Sequence, residues 1–330
     1  MTTTSLTPPA ARAPRARLLR GTHWTVVRLH RATLWTAFAL VVLAAAVTGY
    51  LRLAFDGRPG FVERVGLSDA HDLLYTYLDR GTTALLFLPL AVAVFSAGPV
   101  VARELESGVH KFAWTQGHTP ARWLSARLTL TAAVAVAAGL AVLGGFRIGG
   151  SGLVHADGAL RWPDSAVYTA SGPVVVAYCL LGAAVGALAG LLLRRTLLAM
   201  TAAATATGAV LWILTLVRWD LFPARTRTDS SAAARDAWVP GGIPDDAYVT
   251  DQGVINSAGQ RFSPGQCPTW DGPAPGGSSC PADTGVAQAY ADYHPRSHFW
   301  YVQLIETGIV LALAAAATYG AFWILRRRTP

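Results

Sequence analysis

Glu306 is the only charge in the 27 residues between His298 and Arg326. A carboxylate in so apolar a run must pair, protonate or reach water. It stands about two turns in from the start of the run, ~10 Å deep at ~1.5 Å of rise per residue. It can line a path for a solute, form a polar lock between helices, or make a structural pair reaching the interface. Cys267 and Cys280 are flanked by Pro and Gly and can close a loop of 12 residues. In an oxidising space a disulfide there contributes about 3 kcal/mol in the chain-entropy model; otherwise both are surface thiols. Cys179 lies in an apolar stretch and reads as a small packing residue. Other chemistry is missing: there is no H-E-x-x-H, no G-x-S-x-G and no Cys/His spacing suited to a metal. A P-loop needs Gly-Lys to reach the β- and γ-phosphates, and the single lysine, Lys111, follows His110. The chain is expected to be no enzyme and to carry no metal and no cofactor of its own.

The elements that hold these residues follow from the gaps between charges. Arg31 and Arg52 bracket 20 uncharged residues, Arg80 and Arg103 bracket 22, and Arg127 and Arg147 bracket 19. Asp164 to Arg194 brackets 29 and Arg195 to Arg218 brackets 22. A helix crosses the hydrocarbon core in about 20 residues, so six spans fit: 32–51, 82–102, 124–146, 172–193, 196–217 and 300–325. With 14% charged residues, 52% hydrophobic ones and a mean hydropathy of +0.37, the expected class is an all-α integral membrane protein. Six buried helices of this length would be abnormal in a soluble fold.

The basic residues orient the spans. With the N-terminus inside, the inner segments hold 15 basic residues against Glu104 and Glu106, and the outer ones 12 against 16 acidic. Both termini are then cytoplasmic. The net charge of +8 reflects this topology, because the arginines flank spans, and no compact basic domain for nucleic acid exists. The N-terminus shows no short apolar core with a cleavage site and does not read as a cleavable signal. One lysine against 26 arginines, with abundant alanine, suggests a bacterial source.

The expected organisation is a disordered cytoplasmic tail at 1–16, an amphipathic interfacial helix at 17–31, spans 1–5 over 32–217, an extracytoplasmic cap at 218–299, and span 6 with a basic tail at 300–330. In 17–31, Arg17, Arg20, Arg28 and Arg31 share one side and Leu18, Leu19, Val26 and Leu29 the other. An irregular basic leader is the alternative. Span 4 carries Gly182, Gly186 and Gly190 at spacing four, a strip for close helix packing within the subunit or between subunits. "RRT" joins spans 4 and 5 as a tight hairpin. In the cap, "AYVTDQGVINSAGQRF" reads as a β-hairpin turning at Asp251-Gln252-Gly253.

The polar segment 103–123, "RELESGVHKFAWTQGHTPARW", lies inside. Ser107 can N-cap a short helix beginning at Gly108, over 107–118, and Thr119-Pro120 can start the next one. Val109, Phe112 and Ala113 fall on one side, with Trp114 beside them. Such a face suits a groove on a partner protein, or it dips into lipid.

"GPVVARELESGVHKFAWTQGHTPARWLSARL" resembles the segment after the second span of ABC-2 type permeases, particularly an actinobacterial group of ABC transporter permeases. There a polar R-E-x-E-x-G-[TV] stretch leads into a coupling helix that docks on a separate ATPase subunit. "YHPRSHFWYVQLIETGIVLALAAA" is similar to that group's last span, and the hairpin-and-cysteine cap and the basic leader agree. The resemblance assigns Arg103, Glu104, Glu106, Gly108, Val109, Phe112 and Trp114 to the coupling region. The chain departs at Val109, where Thr is common. The implied function is the permease subunit of an ATP-binding-cassette exporter in a bacterial plasma membrane. It would pair with two ATPase subunits holding ATP and Mg, and with a second permease copy or homologue. A sensor or scaffold binding through its cap is the alternative from a different class. A polytopic enzyme would need a convergent nucleophile and base, and none is visible.

Overall fold

A computed structural model of the chain describes residues 28, 31–56, 70–95, 97–108, 119–155, 160–237, 239–263 and 286–328. The tail at 1–16, nearly all of the 17–31 segment, Val109, Phe112 and Trp114 of the coupling segment, and both Cys267 and Cys280 lie outside these residues.

Among the described residues six helical segments are long and apolar enough to cross a membrane. In chain order the helices are α1 (Arg31–Phe55), α2 (Ala70–Leu85), α3 (Leu88–Phe95), α4 (Ala97–Glu106), α5 (Pro120–Gly149), α6 (Ser165–Ser171), α7 (Val174–Leu193), α8 (Thr196–Val217), α9 (Ala232–Ala237) and α10 (His298–Arg328). Span 2 is longer than its charge gap suggests. It runs over Asp72–Glu106 as α2, α3 and α4, because Asp72, Asp79 and Arg80 sit on its polar outer turns. Pro89 explains the break between α2 and α3: it lacks the N–H for the carbonyl four residues back and clashes with it.

Span 4, α7, is the centre of the bundle. Of its apolar stretch 78% is buried, against 25% or less in the other spans. It packs on α3, α4, α5, α8 and α10. Its glycine strip lies against the broken span 2, within one chain. A Cβ on Gly182 would sit 2.5 Å from the Pro89 carbonyl oxygen, one on Gly186 2.9 Å from that of Ala93, and one on Gly190 2.8 Å from that of Gly98. Only glycine lets the backbones approach so closely, and the contact places Cα–H groups on carbonyls in the manner of weak hydrogen bonds. Spans 4 and 5 form the expected tight hairpin. Arg194 takes a left-handed φ of 52° and its N–H closes on the Gly190 carbonyl at 3.2 Å.

The cap corrects the all-α expectation. Between α8 and α10 it builds a four-stranded sheet, order β1-β4-β2-β3, from β1 (Arg225–Asp229), β2 (Tyr248–Asn256), β3 (Arg261–Phe262) and β4 (Val286–His294), with antiparallel pairs. The hairpin exists, but its turn is not at Asp251-Gln252-Gly253. That triplet lies inside β2, beside a register shift between Val249 and Asp251. The chain turns after Asn256, whose side-chain oxygen accepts the N–H groups of Ala258 and Gln260 at 3.0 and 2.8 Å, with Gly259 at φ 80°. An asparagine that caps its own turn is a stronger signal than Asp-Gln-Gly. Gly253 serves close approach instead: a Cβ there would lie 2.0 Å from the Phe262 carbonyl oxygen.

Gly182→Val should lower the thermal midpoint of the purified protein and its monodisperse yield, since overpacking costs about 1–3 kcal/mol. Gly144→Ala, where an added Cβ meets nothing within 4 Å, should leave the midpoint unchanged or raise it.

Candidate functional site

Two charged clusters lie at opposite ends of the bundle. One is at the end that carries Arg194, Arg195 and Arg326–Arg328, here the basic end; the other is at the cap end.

At the basic end, α4 closes with "RELE". Glu104 reaches α5: Trp123 Nε1 donates to its Oε2 at 2.8 Å, and Arg127 donates Nε to Oε1 at 3.1 Å and Nη2 to both oxygens. The Arg127 guanidinium also stacks 4.4 Å from the Trp123 ring centroid and donates to the Trp123 carbonyl at 3.1 Å. Trp123 is buried with Val101, Leu124, Leu191 and Leu325. Glu106 reaches α8: its Oε2 accepts the Thr196 N–H at 3.1 Å and the Thr196 hydroxyl at 2.8 Å. A carboxylate at a helix N-terminus meets unpaired N–H groups and the positive end of the dipole. Arg103 is exposed.

The two acids thus tie the end of span 2 to spans 3 and 5. Between α4 and α5 runs the segment whose Val109, Phe112 and Trp114 were assigned to coupling. Its far end is fixed as expected: Thr119 N-caps α5, accepting the Arg122 N–H at 3.3 Å, and Pro120 opens the helix. Its near end differs. Gly108 has φ 75°, a left-handed position that terminates α4 rather than starting a helix. Ser107, whose N–H bonds the Arg103 carbonyl at 2.9 Å, belongs to that ending; the residues it was expected to cap lie outside the described residues. At the same face Arg328 donates to the Leu191 carbonyl at 2.6 Å, closing the end of α7.

At the cap end Glu306 is fully buried. Arg218 donates Nε to its Oε2 at 2.9 Å and Nη2 to its Oε1 at 3.1 Å, and the Tyr178 hydroxyl donates to Oε1 at 2.7 Å. The guanidinium lies 4.1 Å from the Tyr168 ring centroid. One turn earlier on α10, buried Gln303 donates to the Tyr168 carbonyl at 2.7 Å and accepts the Val174 N–H at 3.4 Å. These are backbone groups left open where α6 breaks into α7. Glu306 is therefore a polar lock among spans 4, 5 and 6. Above it Trp162 packs edge to face on Trp219, Tyr248 and Phe299, and Trp219 lies tilted against Tyr248 and His294. His294 and His298, both buried, share a hydrogen bond between their Nδ1 atoms at 3.1 Å where β4 runs into α10.

Residues 62–218 match the family described as ABC-2 membrane transporter related. The match spans α2 to α8 and ends at Arg218, so it encloses "RELESGV" and residues 109–118, while α1, the cap and span 6 lie outside it. No curated protein and no solved structure matches the chain. Together with the six membrane-length helices among the described residues, the match points to a multi-pass membrane protein related to transporter permeases.

Arg218, Tyr178, Gln303, Trp123 and Arg127 were not singled out by the sequence. A signal existed for two of them. Arg218 closes the charge-free run of span 5 at the same end where Glu306 enters span 6, and two acids among 15 basic residues need partners.

Glu306→Gln, which strands a buried Arg218, should destabilise the protein by roughly 3–5 kcal/mol. Glu104→Gln, in the partly exposed clamp, should cost about 1–2 kcal/mol. Thermal unfolding in one detergent would show the order; equal midpoints would contradict it. Burial and the neighbouring His298 hold the His294 imidazole below its ordinary range. The unfolded chain therefore binds a proton first as pH falls, and stability contributed by neutral His294 is lost below about pH 6.5. The midpoint drop between pH 7.5 and 5.5 should be smaller in His294→Asn than in the native chain.

Proposed function

We propose that the chain is the membrane-spanning permease subunit of an ATP-binding-cassette exporter, coupled to a separate ATPase. The basic end faces the cytoplasm of a bacterial cell, with both termini inside, and the cap lies outside. Two ATPase subunits carry ATP and Mg, and a second permease copy or homologue completes the pathway. The docking surface is the 109–118 segment, through Val109, Phe112 and Trp114.

The observation that carries this reading is the pair of ties flanking that segment. Glu104 clamps its entry to span 3 through Arg127 and Trp123, and Glu106 clamps the same turn to span 5 through Thr196. A push on the segment is then delivered to spans 2, 3 and 5 together, which suits a device that converts closure of an ATPase into tilting of a bundle. The family match, which encloses all of these residues, supports the same partner. The reading as a membrane-anchored sensor or scaffold draws no support from it.

With Phe112→Asp and Trp114→Asp together, the ATPase should no longer co-purify from the native membrane, while the permease stays monodisperse. Glu104→Gln should keep the ATPase bound. An ATPase retained by the double variant would remove the docking claim.

A further inference from the structure

A cavity of about 570 Å³ opens at the cap end between the last turn of α5 and the first turn of α10. Its walls are apolar, from Phe146, Trp162, Phe299 and Trp300, and it is rimmed by Arg147, His155 and Arg296. The two arginines differ. Arg296 is committed, donating to the Val154 carbonyl at 2.7 Å and to Asp246 at 3.0 Å. Arg147 has no carboxylate partner among the described residues. It makes one long bond to the Ser171 carbonyl at 3.3 Å, and its guanidinium stands 5.1 Å from the Trp300 ring centroid. Among the described residues the pocket therefore presents the positive charge of Arg147, with no carboxylate on it, above an aromatic floor.

Below the mouth an apolar track continues down α10. Trp300, Leu304 and Leu311 fall at spacings of four and seven on one face, and are 45, 60 and 42% exposed. At ~1.5 Å per residue the track is roughly 16 Å long, about half of a ~30 Å hydrocarbon core and so the depth of one leaflet. Beside Arg147 on α5, Ile148 is exposed as well. A cationic pocket set at the head of a one-leaflet apolar track matches one ligand chemistry.

We propose that this pocket binds an anionic amphiphile taken laterally from the leaflet on the cap side. Its phosphate or equivalent head lies on Arg147, and its tail on the Trp300–Leu304–Leu311 face. An arginine that merely snorkels to the headgroup layer would hold no particular lipid. Here an open cavity with aromatic walls can admit the head beside Arg147, whose guanidinium lies 5.1 Å from the Trp300 ring centroid. Binding requires no ATPase, so the result is separable from the docking test above.

The full chain in detergent would be titrated with phosphatidylglycerol, phosphatidylcholine or inorganic phosphate, and bound lipid counted by native mass spectrometry. Phosphatidylglycerol should bind at one site at least about tenfold more tightly than phosphatidylcholine. Arg147→Gln should weaken it about tenfold, and Arg147→Lys only a few-fold. Trp300→Ala should weaken it without changing the preference for the anionic head. Millimolar inorganic phosphate should not displace it. Equal binding of the two lipids, an unaffected Arg147→Gln, or displacement by inorganic phosphate alone would each overturn the proposal.

Discussion

The bundle depends on one backbone-to-backbone contact: the glycine face of span 4 lying on the carbonyls of the broken span 2. In lipid no water competes for apolar surface, so helices associate through close packing and satisfied polar groups rather than through the hydrophobic effect. Gly182, Gly186 and Gly190 supply the closeness, and the interruption at Pro89 shapes the surface they meet. Once α7 is placed there, α5, α8 and α10 pack around it. The charged clusters at both ends then fall into register.

Those two clusters use the same physics differently. A buried ion pair gains little net stability over an apolar core, but it penalises every arrangement that separates the charges. Glu306 with Arg218, Tyr178 and the neighbouring Gln303 therefore specifies how span 6 sits against spans 4 and 5. It also covers the helix break at Ser171–Pro173, whose open backbone groups would be costly in the membrane. The Glu104 clamp is partly exposed, 20% at the acid and 11% at Arg127. Lying nearer water, it is the weaker of the two and the more easily rearranged, a property suited to a joint that moves. The rigid lock and the yielding clamp are about a bundle's length apart.

Much of this was legible along the chain. Uncharged runs announced six spans because a charge in hydrocarbon is expensive, and Thr119-Pro120 announced the start of α5 because a cap and a donor-free residue are both needed there. The misreadings share a cause. Span 2 was cut short because its first turns carry Asp72, Asp79 and Arg80, polar residues that a helix tolerates where it leaves the membrane. The cap hairpin was assigned the wrong turn because Asp-Gln-Gly looks like a turn in isolation, whereas Gly253 is needed in the strand to admit the Phe262 backbone. Ser-Gly can open a helix or close one, and the left-handed φ of Gly108, which ends α4, is set only in the folded chain.

By itself the amino-acid sequence determined the solvent of this protein, the number of its spans, the glycine strip and the two acids at the end of span 2. Each is a local matter of hydropathy, spacing or side-chain chemistry. Only the tertiary structure decided the partners: that Glu306 meets Arg218 88 residues away, that Glu104 and Glu106 reach two different spans, and that Arg147 is left over a pocket. Pairings of that kind depend on which helix faces meet. That is set by the packing of α7 on the interrupted span 2, through contacts no single segment encodes.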